Sequence, residues 1–135
     1  FVAWLESEVL SSDVDSDQPR WCATYTDHWG ARHTRQAIWR NGDWIIVDDL
    51  SGFQKRAVLR WRVCPEFEWS RNEDGIESSL AALSCRSDSE FSRIELCTGW
   101  ESRTYLRKTA LPVLEVELGP GQHRVTTNIS LRASA

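Results

Sequence analysis

The chain has 135 residues, of which 41% are hydrophobic and 27% charged, and its formal net charge at pH 7 is −4. This balance is typical of one folded domain and excludes collagen-like, low-complexity and wholly disordered proteins. The acidic total argues against general nucleic-acid binding, which needs a basic surface. No apolar run approaches the roughly 18 residues of a membrane span. We therefore expect no nucleic-acid partner and no membrane partner.

Apolar and polar residues alternate with a period of two through most of the chain, which is typical of strands with one buried face. In chain order, the predicted strands are 2–9, 20–26, 36–40, 44–48, 57–63, 79–85, 91–97, 114–118 and 124–131. No stretch of ten residues shows a sustained helical period. Any helix is therefore expected to be short.

Short polar segments separate the predicted strands. We predict hairpin turns at Asn41-Gly42, at Ser51-Gly52 and at residues 119–121. Two further polar segments, 11–18 and 71–77, are predicted to be exposed loops. Strands at this frequency predict an all-β fold, an antiparallel two-sheet β-sandwich of about ten or more strands.

The start of the chain lacks the features of a signal peptide. The chain begins with Phe1, contains no methionine, and has acidic residues where a basic start and an apolar run would be needed. We expect residues 1–135 to be a single β-sandwich domain that is a fragment of a longer chain.

Four cysteines stand far apart in the sequence, at Cys22, Cys64, Cys85 and Cys97. Their spacing is too wide for a zinc knuckle, and their number is too small for a disulfide scaffold. Three disulfide pairings are possible. We expect free thiols, because three of these residues end runs of strand-like alternation.

Charge is uneven along the chain. Residues 1–30 carry a net charge of −5, residues 31–62 carry +4, and the remainder carries −3. The basic residues of the middle segment can contact an anionic partner or can occupy solvated outward positions on strands. They are Arg32, Arg35, Arg40, Lys55, Arg56, Arg60 and Arg62.

Residues that carry chemistry are scarce. The sequence has no glycine-rich phosphate loop, no nucleophile elbow and three isolated histidines, His28, His33 and His123. Eight tryptophans are a high load, and indole rings both fill cores and stack on sugar rings. We expect Trp61 to lie in the core and consider Trp29 a candidate for surface recognition.

Four segments resemble the β-sandwich of the heparinase II/III-like polysaccharide lyases. The resemblance covers roughly residues 20–130 and follows the family's order of an H-x-R, a tryptophan-valine-aspartate strand, an arginine-tryptophan-histidine strand and a glycine, serine, tyrosine and lysine run. The matching segments are HTRQAIWR (33–40), GDWIIVDDL (42–50), LRWR (59–62) and GWESRTY (99–105) with Lys108.

This resemblance implies an accessory sandwich that follows an N-terminal helical toroid, its partner within the parent chain. The cleft between toroid and sandwich would hold an acidic polysaccharide, which such lyases cleave by β-elimination. Most of the groups that move protons lie on the toroid, so this fragment is not expected to turn over substrate alone. The resemblance also implies a periplasmic or extracellular location.

The tryptophan and basic residues named above become candidate site residues when they are set in the cleft that the resemblance implies. The substrate-binding candidates are Trp29, Arg32, Arg35 and Arg40. His33 and Asp48 match two of the three metal ligands found in some members, but Arg62 stands where the third, a histidine, is expected. We expect no cofactor and an Arg62–Asp48 ion pair in place of the metal, the alternative being zinc or another divalent ion completed by a residue such as His28.

An independent carbohydrate-binding sandwich without a catalytic neighbour is the alternative function. An accessory domain would show an exposed apolar face beside the basic residues. An independent module would instead show a coplanar platform of exposed tryptophans.

Overall fold

A computed structural model describes residues 6–133, which form eleven strands and no helix. None of these residues therefore belongs to a helix able to span a membrane. In chain order the strands are β1 (Glu6–Asp13), β2 (Arg20–Thr26), β3 (Arg32–Arg40), β4 (Asp43–Ser51), β5 (Ala57–Arg62), β6 (Ser70–Arg71), β7 (Gly75–Glu77), β8 (Ala81–Ser87), β9 (Arg93–Thr104), β10 (Arg107–Leu118) and β11 (His123–Leu131).

The strands pair in antiparallel fashion into two sheets of unequal size. The larger sheet has the order β1-β2-β3-β4-β11-β8-β7-β6, and the smaller has the order β5-β10-β9. The predicted all-β, antiparallel two-sheet sandwich is thus confirmed.

The core lies where the two sheets face each other. Leu50, Val125 and Leu83 on the larger sheet pack against β10, whose alternate residues Leu114 and Val116 are buried. The alternation that marks the strands in the sequence is the alternation of inward and outward side chains. Three strands cannot cover eight, so part of the inner face of β2–β4 is left uncovered by the smaller sheet.

Two predicted loops are partly strands. Residues 11–13 continue β1, and the segment 71–77 contains the short β6–β7 pair. The two predictions are wrong at these residues only. β1 and β6 lie at the two edges of the larger sheet, where polar side chains can be solvated, and β7 has only three residues, too few to show an alternating pattern. Residues 2–5 of the first predicted strand lie outside the described residues.

The predicted turns differ in what they connect. Asn41 and Gly42 join the paired strands β3 and β4, with φ angles of 53° and 86°, so this hairpin prediction is confirmed. The predictions of hairpins at Ser51-Gly52 and at 119–121 were wrong, because β4 and β5, like β10 and β11, lie in different sheets. Turn residues in a sequence indicate that the chain changes direction, but they do not indicate which sheet the next strand joins.

All four cysteines carry free thiols, as predicted. Cys22 and Cys85 are buried on strands of the larger sheet. Burial raises the pKa of the Cys85 thiol, which contacts the hydroxyl of Thr127. These thiols therefore behave as small core side chains.

We predict that Gly52→Ala destabilises the fold much more than Gly42→Ala. Both glycines have a positive φ, 77° and 86°, so both alanines meet the same backbone strain, about 1–3 kcal/mol. A Cβ at position 52 would also lie 2.2 Å from the carbonyl oxygen of Gly30, whereas a Cβ at position 42 meets nothing within 4 Å. Chemical denaturation of the two variants measures the difference, and equal losses of unfolding free energy would contradict this prediction.

Candidate functional site

A buried carboxylate, Asp48, organises the inner face of the larger sheet. Arg35 stands directly opposite Asp48 in the β3–β4 register, and His33 lies two residues along the same face. Asp48 accepts hydrogen bonds from His33 Nε2 at 2.5 Å and from Arg35 Nε at 2.6 Å on Oδ1, and from Arg35 Nη2 at 3.1 Å on Oδ2. Because the side chain of Asp48 is fully buried, these bonds replace its hydration.

The pKa of the Asp48 carboxyl reflects two opposing effects. Burial raises it, but the hydrogen bonds from His33 and Arg35 and the positive charge of Arg35 outweigh burial and hold it below its ordinary value of 3.8. Asp48 is therefore ionised in the native protein at neutral pH.

The same cluster joins the two sheets. The Arg35 guanidinium lies 4.7 Å from the centre of the Trp61 ring on β5, a cation–π contact across the sandwich. Trp61 also packs against the hydrophobic core, as predicted. On the other side, the ring edge of Tyr25 meets His33 at 5.3 Å between ring centres.

His33 and Asp48 lie together as two metal ligands would, but the donor set does not fit a divalent ion. They bond to each other, and Arg35 occupies both carboxylate oxygens with a positive charge. Within residues 6–133 no three His, Cys, Asp or Glu side chains form a group able to hold a metal. His28 does not complete the pair, since its ring stacks on Trp29 at 3.6 Å.

The predicted Arg62–Asp48 ion pair is wrong. Arg62 is exposed on β5, opposite Val113 of the smaller sheet, and the cation on Asp48 is Arg35. The family resemblance suggested Arg62 as the partner of Asp48 but could not show which arginine stands in register with the aspartate. That register is a property of the β3–β4 pairing.

A groove opens at the end of the sandwich where two loops meet. Asp27 accepts hydrogen bonds from the backbone N–H groups of Trp29 and Ala31, both at 2.9 Å, which fixes the first loop. The close approach of Gly52 to Gly30 joins this loop to the second, which leads from β4 to β5. The groove has a volume of about 590 Å³, and Trp29, which is 73% exposed, forms part of its wall.

The remaining wall of this groove combines an aromatic ring with cations. Phe53, Lys55 and Arg56 come from the second loop. An adjoining recess of about 250 Å³ shares Phe53 and Arg56 and reaches Arg32 and His33. The two adjoining cavities therefore combine aromatic and basic side chains and end at His33.

The structure brings some of the predicted binding residues together and separates others. Trp29 and Arg32 line the groove and its recess, whereas Arg35 is engaged with Asp48. Arg40 lies at the other end of β3, about 26 Å along the strand from Arg32. Phe53 was missed by the sequence analysis, although its position after the Ser51-Gly52 turn was the available signal.

Other residues of the basic segment have acidic partners on the outer face of the smaller sheet. Arg60 pairs with Glu115 at 2.8 Å, and Arg56 pairs with Glu117 at 3.4 Å. Arg93 bridges the same two glutamates. The sequence left two alternatives for the basic residues, contact with an anionic partner or a solvated outward position on a strand. Arg60 has the solvated outward position.

We predict that Asp48→Asn lowers the unfolding free energy by about 3 kcal/mol at pH 7, because it leaves the Arg35 charge without its partner. Asp49→Asn is the matched control: Asp49 also binds an arginine, Arg124, through two bonds, but at the surface, where the loss should stay within about 1 kcal/mol.

The penalty of Asp48→Asn should also depend on pH. The pKa of Asp48 is lowered by folding, so the stability contributed by its charge is fully present above its unfolded pKa. This contribution to stability is lost as the pH falls below 3.8 toward the pKa of Asp48 in the folded protein. Denaturation at pH 7 and pH 3 should show the difference between wild type and variant shrinking at the lower pH, and a constant difference would contradict the assignment.

We further predict that the purified chain contains no stoichiometric zinc. A bound ion would stabilise the fold by mass action, so removing it would lower the thermal midpoint. Elemental analysis and melting with and without a chelator are the measurements. One zinc per chain, or a lower midpoint with chelator, would contradict the charge-pair interpretation of His33, Arg35 and Asp48.

No protein family model matches the chain, and no curated protein matches its sequence. Solved structures do match its fold. A heparinase III with methylated lysines superposes on this chain with a TM-score of 0.79 at 18% sequence identity. A second heparinase III structure superposes with a TM-score of 0.83 at 12% sequence identity. The heparan sulfate lyase HepC from Pedobacter heparinus gives 0.77 at 11% identity.

Each of these matches covers 96% of this chain but 22% of the solved chain. The chain thus spans about a fifth of the length of the lyases it resembles. The resemblance predicted from the sequence is confirmed at the level of the fold, and the chain has the fold of one domain of the heparinase III structures.

Proposed function

We propose that the chain is the accessory β-sandwich of a polysaccharide lyase, that it packs on a helical toroid, and that it lines one wall of a cleft for an acidic polysaccharide. Its location would be periplasmic or extracellular, where such a polymer is found. Turnover by β-elimination would need proton-transfer groups from the toroid, so the sandwich alone would be inactive.

The observation that carries this proposal is the uncovered inner face of the larger sheet. On β2–β4 this face presents large apolar side chains that the smaller sheet does not fully cover. Trp21, Tyr25 and Trp44 are each more than a third exposed there. Exposed aromatic area of this extent, on a chain that matches one domain of larger proteins, supports a neighbouring domain as its cover.

The alternative, an independent carbohydrate-binding module, is less well supported. The rings of Trp39 and Trp44 lie 5.2 Å apart but are tilted by 59°, so they do not form one plane. Trp29 and Trp100 are exposed on other elements, the loop after β2 and strand β9. A flat sugar-stacking platform needs coplanar rings.

The groove at the sandwich end supplies the proposed cleft wall. The exposed ring of Trp29 can stack on a sugar face, while Arg32 and Lys55 can bind carboxylate or sulfate groups. Arg35 then supports the wall through Asp48. Arg40, at the far end of β3, would contact a different part of a long polymer.

We predict weak, salt-sensitive binding of a uronate-rich hexasaccharide to the chain, with a Kd no better than ~1 mM, since a single wall leaves its charged contacts in water. Titration monitored by amide chemical shifts should perturb residues around Trp29 and Arg32, and the shifts should fade as salt is raised. Trp29→Ala with Arg32→Ala should abolish them.

Trp100→Ala with Arg86→Ala serves as the matched control, because both residues are exposed and lie outside the groove. Its titration should equal that of wild type. Tight, salt-independent binding centred on Trp39 and Trp44 would favour the independent module. An unperturbed groove at all concentrations would reject the cleft wall.

A further inference from the structure

The β9–β10 hairpin extends beyond the sandwich. β10 pairs with β5 from Val113 to Leu118, whereas its pairing with β9 begins at Arg107. All nine residues from 102 to 110 are exposed. The end of this hairpin is therefore a two-stranded ribbon that the rest of residues 6–133 does not cover.

The tip of the ribbon presents two large apolar side chains to water. Tyr105 and Leu106 are each 87% exposed. Leu106 has a φ of 60°, in the left-handed region that normally favours glycine or asparagine. Fold stability does not account for this tip, because the turn is strained and the side chains bury little surface.

Cations flank the apolar tip. Arg103 pairs with Glu66 and Glu101, but Arg107 and Lys108 form no ion pair with any other residue between 6 and 133. The Lys108 ammonium lies 4.7 Å from the centre of the exposed Trp100 ring. The ribbon thus combines an apolar end with uncompensated positive charge.

Negative charge, together with exposed apolar side chains, lies on the edge strand β1 and the segment that follows it. All eight residues of β1 are exposed, and Leu10 and Val14 are 47% and 64% exposed. Five acidic residues lie in the same segment, of which Asp13 alone has an ion pair within the described part of the chain, with Arg20 at 3.9 Å. The acidic residues are Glu6, Glu8, Asp13, Asp15 and Asp17.

We propose that the hairpin tip of one copy docks on the acidic β1 edge of a second copy. Tyr105 and Leu106 would cover Leu10 and Val14, while Arg107 and Lys108 would face the acidic residues. The contact joins two different surfaces, so it is head-to-tail and can continue from copy to copy. A nine-residue ribbon buries a small area, so the association is weak and is screened by salt.

A charge exchange tests this contact. One variant carries Arg107→Glu and Lys108→Glu, and the other carries Glu6→Lys and Glu8→Lys. In sedimentation at low salt, wild type should associate as its concentration rises toward ~1 mM and should dissociate in high salt. Each variant alone should stay monomeric, because like charges face each other. An equimolar mixture should associate, because each variant then meets opposite charge on the other, both in the native pairing and in the exchanged one.

Two further variants separate docking from unfolding and from net charge. Arg86→Glu with Arg132→Glu changes the net charge by the same amount as Arg107→Glu with Lys108→Glu, but elsewhere on the surface. This variant should associate like wild type. Tyr105→Ser with Leu106→Gly relieves the left-handed strain, so it should keep or raise the thermal midpoint while it abolishes association.

Four outcomes would overturn the proposal. Wild type that is monomeric at ~1 mM and low salt excludes the contact. Hairpin variants that associate like wild type place the contact elsewhere. An equimolar mixture that remains monomeric shows that the two surfaces do not pair, and a hairpin that instead binds an anionic oligosaccharide assigns the cations to a sugar.

Discussion

The register of the central strands and the position of one sheet over the other depend on one buried charge, that of Asp48. Asp48 has no water to solvate it, so its ionised form exists because His33 and Arg35 donate to it from the neighbouring strand. That requirement fixes the register of β3 on β4, since a shift of one residue would turn both donors to the other face. The Arg35 guanidinium in turn holds Trp61 of the smaller sheet, so the charge also helps to position one sheet over the other.

The unequal size of the sheets determines what surface remains for other molecules. Three strands cover the middle of the larger sheet and leave the aromatic inner face of β2–β4 partly open. At the end of the sandwich, the contact between Gly30 and Gly52 brings two loops together and forms the groove beside Trp29. The open face and the groove adjoin the same charge cluster, which is the arrangement that a cleft wall against a second domain would need.

The charge pattern of the chain has a similar structural explanation. Basic residues that are close in sequence are sent to different places because alternate residues of a strand point to opposite faces. Arg35 is drawn inward to Asp48, Arg60 is neutralised on the outer face of the smaller sheet, and Arg32 remains at the groove. Segment charge alone therefore does not define a binding surface.

The sequence by itself determined the all-β class and the β3–β4 hairpin, because alternation and turn residues act over short distances along the chain. That His33 and Asp48 belong to one site was implied by the resemblance to the lyase family and not by either pattern. Only the tertiary structure decided that Arg35 is the arginine bound to Asp48 and that the strands after β4 and β10 enter the other sheet. It also decided that Phe53 and Trp29 line the same groove. These features depend on contacts between residues far apart in sequence, and the free energy of such contacts leaves no local pattern. Edge strands were missed for the same reason, since their polar residues are compatible with both a loop and a solvated strand.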